Sequence, residues 1–367
     1  MNNKILLLAM AGMNLGLAHA QSNVTFYGSI DSGPTYVSNV RGKSVQLLDD
    51  GVLQADRFGL RGSEDLGGGT RAVFNLEGGF VTSTGAQPRA NVLFNRQSYV
   101  GLANQWGTLT LGHHTNMMFD AVGKLSNGVL FGSFYAFHPG NIDEFANVGQ
   151  VDNSIKFTSA AYAGLSAGAM YSFGEQPGDS AKSRAFGFNL TYARGPLKLG
   201  GAYTSANNKA VNLGSALGVQ SLLGQNLIGG SVSSPVYTPL QADKVRNTGI
   251  GASYALDSVL LHAAVGQSKV QTVAGSATMT TPEFGANFRL APADTLNFGY
   301  SSTKLADKRW RQFEINNVYS LSARTELYAM AVFQKAGGAG AVAAINSLGL
   351  SSDQRQHALR LGVHHLF

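Results

Sequence analysis

The chain has 367 residues with 27 Lys and Arg against 21 Asp and Glu, a formal net charge of +6, and it contains 46 Gly, 9 Pro and no Cys. A charge this small and dispersed argues against a nucleic-acid partner, and the lack of Cys excludes a disulfide-stapled secreted fold. No apolar run after the leader is long enough for a spanning helix, and no Pro- or Ser-rich linker divides a length that exceeds an ordinary domain. A single sheet closed on itself meets both constraints, because a wet barrel interior needs no globular core.

In chain order, the first element is an export leader. Lys4 supplies the positive start, Ile5 to Ala11 the apolar stretch, and Ala18-His19-Ala20 the small-x-small cleavage site. Gly12, Asn14 and Gly16 break the apolar run, which is too short for an anchor. Residues 1–20 are therefore expected to be removed after Ala20, leaving Gln21 as the first residue of a single unit, 21–367.

From there short segments repeat a two-residue alternation, the strand period. Phe58 and Leu60 alternate with Arg57, Gly59 and Arg61, and Ile155 and Phe157 alternate with Lys156 and Thr158. Phe186, Phe188, Leu190 and Tyr192 form another such face, as do Ile250, Ala252, Tyr254 and Leu256, and Phe284, Ala286, Phe288 and Leu290. Tight turns are predicted at Asp65 to Gly69, Asn104 to Gly107, Arg194 to Pro196, Leu256 to Ser258, Pro292 to Asp294 and Ser322 to Arg324. Longer Gly-, Ser- and Asn-rich stretches at 115–151, 206–243 and 335–354 read as external loops. The last strand ends on Phe367, with Leu359, Leu361, Val363, His365 and Phe367 on one face. The pattern predicts an all-β, transmembrane antiparallel barrel of about 16 strands, with both termini at the periplasmic rim.

Parity also sorts the charges. A cation facing lipid at mid-membrane costs about 2–4 kcal/mol, so Arg57, Arg61 and Lys156 are expected inside. They either line the passage or satisfy wall carboxylates such as Asp31, Glu283 or Glu314. His113-His114 and His364-His365 point to opposite faces within each pair, which disfavours chelation, and no metal or other cofactor is expected. Asp49-Asp50-Gly51 lacks the spaced ligands of a calcium loop and reads as a solvated first-loop tip. Tyr27, Tyr99 and Tyr162 fit either a lipid girdle or a ligand-facing role. No Gly-x-Ser-x-Gly elbow or Ser/His/Asp arrangement stands out, so a hydrolase is the weaker reading.

Several motifs resemble one family. Phe26-Tyr27-Gly28, the run Arg57 to Gly69, Phe94 to Leu102, Gly107 to Gly112, Asp152 to Phe157 and the ending His365-Leu366-Phe367 are similar to the general Gram-negative trimeric porins of β-proteobacteria. The resemblance spans the mature chain. It implies a homotrimer of sixteen-stranded barrels in the cell outer membrane, surrounded by lipid and lipopolysaccharide and inserted by the barrel-assembly machinery through the C-terminal strand. It implies passive diffusion of ions and small hydrophilic solutes past an inward-folded third external loop. Carried over by motif, the constriction comprises Arg57, Arg61 and Arg96 on the wall, Asp120 and Lys124 on the loop, and Lys156 opposite. Two departures bear on selectivity: Lys124 to Gly132 contains no carboxylate, and Gln150-Val151-Asp152 stands where the family often has an Arg. The few loop acids, Asp120, Asp143 and Glu144, favour an anion-preferring pore. A barrel selective for one nutrient class, such as aromatic acids or amides, is the alternative.

Overall fold

The computed structural model describes residues 23–231 and 234–367; the expected leader, with Ala20 and Gln21, lies outside the described residues. The strands are β1 (Asn23–Val40), β2 (Lys43–Asp50), β3 (Arg57–Gly67), β4 (Thr70–Gly79), β5 (Gln97–Asn104), β6 (Gly107–His114), β7 (Val151–Ser159), β8 (Leu165–Ser172), β9 (Ala185–Arg194) and β10 (Leu197–Val211). Two short ribbons follow in the long connection after β10: β11 (Ser221–Leu222) with β12 (Gln225–Asn226), and β13 (Ile228–Gly230) with β14 (Pro235–Tyr237). The wall resumes with β15 (Leu240–Leu256), β16 (Val259–Thr272), β17 (Gly275–Ala291), β18 (Asp294–Leu305), β19 (Lys308–Ser320), β20 (Thr325–Gly337) and β21 (Arg355–Leu366).

Neighbouring wall strands pair antiparallel, and β21 returns to β1, residues 358–366 against 29–37. Residues 23–29 of β1 pair with β3 and residues 32–40 pair with β2, so β2 and β3 are halves of one interrupted barrel strand. The result is a closed barrel of sixteen strands. Closure leaves no free sheet edge in lipid, which offers no hydrogen-bond partners. The seam ends on a reciprocal pair, Gly28 N to Phe367 O at 3.0 Å and Phe367 N to Gly28 O at 3.2 Å. The outer face carries the predicted apolar alternates: Phe284 is 60% exposed, Ile250 62% and Leu361 62%. Among the described residues no helix is long and apolar enough to cross a membrane.

Two expectations need correction. Strands run further than their apolar alternation, so the connection expected at 206–243 is 212–239 and the one expected at 335–354 is 338–354. Connections on that end are also not uniformly long, since Arg41-Gly42, Val273-Ala274 and Ala306-Asp307 each join two strands by two residues. Arg41, Gly42 and Ala306 adopt positive φ there, the geometry that matches the twist of a tight hairpin.

Asp49-Asp50-Gly51 is not a solvated tip either. It sits at the interruption between β2 and β3, where Gly51 turns with φ +65. Carboxylates replace the missing ladder partners: Asp56 accepts from Asp31 N at 2.7 Å, and Asp31 accepts from Leu53 N at 2.6 Å and Gln54 N at 3.3 Å. Asp49 accepts from the Tyr135 hydroxyl at 2.5 Å, and Asp50 from Ser32 Oγ at 2.8 Å. Asp31 is also the anchor of a buried cluster at the seam. Arg360 donates to it at 2.8 Å, to Gly33 O at 2.9 Å and to Thr35 at 2.9 Å, while the Tyr328 hydroxyl donates to Asp31 at 2.7 Å. A buried ion pair is tolerated only when its remaining donors and acceptors are met, as here.

The Tyr328 ring reaches Asp31 because it lies directly over Gly362, which has no Cβ to obstruct it. Gly362→Val should displace the ring, break the cluster and destabilise the barrel by about 1–3 kcal/mol. The readout is the denaturant midpoint of the folded-to-unfolded gel shift, and an unchanged midpoint would mean that the ring swings aside without loss.

Candidate channel constriction

The side chains that parity places inside fall into two groups. In the first, Arg57 at the start of β3 and Arg96 just before β5 converge on Glu77 of β4: Arg96 Nε lies 2.7 Å from one carboxylate oxygen and Arg57 Nε 3.6 Å from the other. The Tyr27 hydroxyl lies 2.9 Å from Glu77 Oε2 and 3.0 Å from Asn75 Oδ1. The Arg61 guanidinium sits over the Tyr27 ring, 5.1 Å from its centroid, and forms no ion pair among the described residues. These side chains border a cavity of about 550 Å³.

In the second group Lys156 of β7 forms an ion pair with Asp120 and donates to Thr115 O at 3.0 Å. Lys124 stands 3.7 Å from the same carboxylate with its side chain 56% exposed. This group borders a cavity of about 350 Å³, and Gln97 and Tyr99 line both cavities. The structure thus gathers Arg57, Arg61 and Arg96 on one side and Asp120, Lys124 and Lys156 on the other.

The wall carboxylates named from sequence as possible partners of these arginines are engaged elsewhere. Asp31 holds Arg360, Glu283 holds His138, and Glu314 accepts from Gln312 at 2.7 Å. The partner that sequence reasoning missed is Glu77. Its signal was present, since Asn75 and Glu77 alternate with Phe74 and Leu76 by the parity that placed Arg57 and Arg61. Tyr27 and Tyr99 face the cavity, whereas Tyr162 is exposed at a turn. His113 pairs with Asp152 at 2.5 Å and His114 with Ser154 at 2.7 Å.

Residues 115–150 are held by the wall face opposite the apolar band. Asn116 caps the short helix α1 (Met117–Ala121) by accepting from Phe119 N at 2.8 Å. The helix and the turn after it approach the backbone at Gly200, Gly249 and Gly251, where a Cβ would meet Ala121, Met118 and Val122. Further along, wall amides donate to loop carbonyls: Asn287 to Leu130 at 2.6 Å, Asn316 to Phe131 at 3.2 Å and Gln312 to Tyr135 at 2.8 Å. His138, fully buried, bridges Asp143 at 2.5 Å and Glu283 at 3.1 Å. Lys209 pairs with Glu144.

A closed barrel with an apolar outer band and polar, charged side chains on the opposite face of its wall defines a passive membrane channel; it has no need of a reaction centre. The chain belongs to the Gram-negative porin family, whose model matches residues 6–339. It is 27% identical to an outer membrane porin protein of Bordetella pertussis and 27% identical to outer membrane porin protein 32 of Delftia acidovorans, each match covering 100% of both chains. Its fold is similar to that of an anion-selective porin from Comamonas acidovorans, with a TM-score of 0.77, 22% identity, and coverage of 95% of this chain and 100% of the other. The protein is an outer-membrane porin and not an enzyme.

The charge on the His138 bridge depends on pH. Burial alone lowers the imidazolium pKa, but the Asp143 and Glu283 carboxylates overcome this and hold it up at about 10. A raised value in the docked loop means that the bridge contributes fully below the free-imidazole value of about 6.5 and is lost as pH rises through about 10. Single-channel current noise from loop motion should therefore rise as pH passes about 10 in the native protein. In His138→Gln it should already be high and nearly flat with pH; equal noise in both proteins across this range would remove the bridge as a loop anchor.

Proposed function

We propose that this porin passes small anions in preference to cations, with Arg57, Arg61, Arg96, Asp120, Lys124 and Lys156 lining the narrowest part of its lumen and residues 115–150 acting as the inward-folded loop that sets the size limit. The observation that carries this reading is the local balance of charge. Five cations stand beside two carboxylates, Glu77 and Asp120, around these two cavities, while Asp49, Asp50 and Asp56 border a further cavity that also touches Arg96 and are engaged by Tyr135, Ser32 and Thr82. Among the described residues Arg61 has no carboxylate partner, and Lys124 is half exposed beside one that Lys156 already holds. Fixed charge acts over roughly 8 Å at physiological ionic strength, further where low-dielectric walls focus the field, so an excess of this kind concentrates anions within the passage. The Comamonas porin of similar fold is anion-selective, in agreement with this reading.

The functional unit is proposed to be a homotrimer packed through the apolar band, set among outer-membrane lipid and lipopolysaccharide. Assembly machinery would receive the C-terminal strand with Phe367 at its rim, after a leader is cleaved between Ala20 and Gln21. One similar fold was solved as a trimer, OmpT of Vibrio cholerae.

Planar-bilayer recording tests both parts. Conductance should appear in triplets, and the zero-current potential in a potassium chloride gradient should carry the sign of chloride preference. Arg57→Glu combined with Arg96→Glu should move that potential toward cations, as should the milder Arg61→Gln, whereas Glu77→Gln should move it further toward chloride. A potential indifferent to all three would mean that these residues do not line the constriction.

A further inference from the structure

The first cavity is lined by two unlike sets of side chains. One set is guanidinium groups with donors left over: among the described residues Arg61 makes no ion pair, and Arg96 commits only its Nε to Glu77. Arg57 gives one nitrogen to Ala55 O at 3.3 Å. The rest of the lining differs: the break between β2 and β3 contributes Leu53, and residues 115–150 contribute Val129, Phe134 and Val148. Val129 is 38% exposed and Val148 51%, so their apolar surface is left uncovered beside a charged passage. A hydrated chloride ion gains nothing from such a surface. Among the described residues the one carboxylate bordering the cavity, Glu77, is already held by Arg57, Arg96 and the Tyr27 hydroxyl.

We infer that this chamber is a binding site for monocarboxylates that carry an aromatic or branched apolar body. This inference rests on the anion-preferring reading above and narrows it to a solute class. The carboxylate accepts from Arg61, pre-positioned by its contact with the Tyr27 ring, and from the uncommitted nitrogens of Arg96, while the body covers Leu53, Val129 and Val148. The volume, about 550 Å³, lies in the range of small-molecule pockets. Neither half suffices alone: a short acid lacks the body, and a neutral analogue leaves the guanidinium donors unpaired.

The test is inhibition of chloride current through the reconstituted native porin by benzoate, acetate and benzyl alcohol. Benzoate should half-block at a concentration about tenfold below that of acetate, and benzyl alcohol should not block. Val129→Asn with Val148→Asn should bring the benzoate-to-acetate ratio toward one, and Arg61→Gln should weaken block by both acids. Equal block by benzoate and acetate in the native protein overturns the inference, as does a ratio that survives the two valine substitutions. The zero-current potential from the same membranes separates the two levels. Chloride preference with equal block removes only the solute class, whereas absence of chloride preference removes the reading beneath it.

Discussion

No water reaches the backbone of a strand in the middle of a bilayer, so each N–H and C=O there must find its partner within the sheet. That requirement makes the meeting of β1 with β21 the point on which the rest of the barrel depends. The seam has to tolerate the interruption at residues 51–56, which removes regular partners from one flank of β1. Asp31 and Asp56 repair the gap by accepting backbone N–H groups, and Arg360 and Tyr328 neutralise and fix Asp31 from the returning strand and its neighbour. The same defect that needs this repair turns Gly51 to Ala55 toward the lumen, where they border the cavity beside the arginines. Irregular backbone at membrane depth is tolerated there because it lines a polar space.

The loop of residues 115–150 meets the same accounting in another way. It has little regular structure, only α1 and a few short turns, so its carbonyls must find donors elsewhere. The wall supplies them through Asn287, Gln312 and Asn316, side chains that carry no charge and therefore do not alter the field of the passage. Of the charged anchors, Lys209 and Glu144 form a one-to-one pair, whereas His138 is shared between Asp143 and Glu283. Around the two cavities, charge is left uncompensated chiefly at Arg61 and Lys124. The side chains that anchor the loop thus stand on β10, β17 and β19, apart from the wall charges of the two cavities, which come from β3, β4, β7 and the residue before β5.

Parity made much of this legible from sequence. Once Phe58 and Leu60 are assigned to lipid, Arg57 and Arg61 have one direction left to point, and the same step places Lys156 between Ile155 and Phe157. The interruption was not legible, because Asp49-Asp50-Gly51 has the composition of an exposed turn. Its contacts depend on Tyr135, 86 residues later in the chain, arriving to donate to Asp49. The two-residue hairpins at 41–42, 273–274 and 306–307 escaped because their flanking strands project beyond the apolar band. There the outward side chains turn polar and the alternation fades. His138 gave no signal, since a loop histidine acquires its role only from Glu283 on a distant strand.

Glu77 shows that parity can place charges inside without saying which of them cancel. Counting inward cations against inward acids gives a balance for the whole lumen, but a permeating ion responds to the residual field within a screening length of its path. Arg360 and Asp31 cancel at the seam and contribute little to that field, whereas Arg57 and Arg96 share one carboxylate and leave a net positive charge beside Arg61. Glu77 therefore serves two ends. It holds two guanidiniums close together against their mutual repulsion, and it leaves them under-neutralised. An uncharged residue at position 77 would raise the net charge while freeing the arginines to move apart, so the strength of the field and the sharpness of the site pull in opposite directions at this one position.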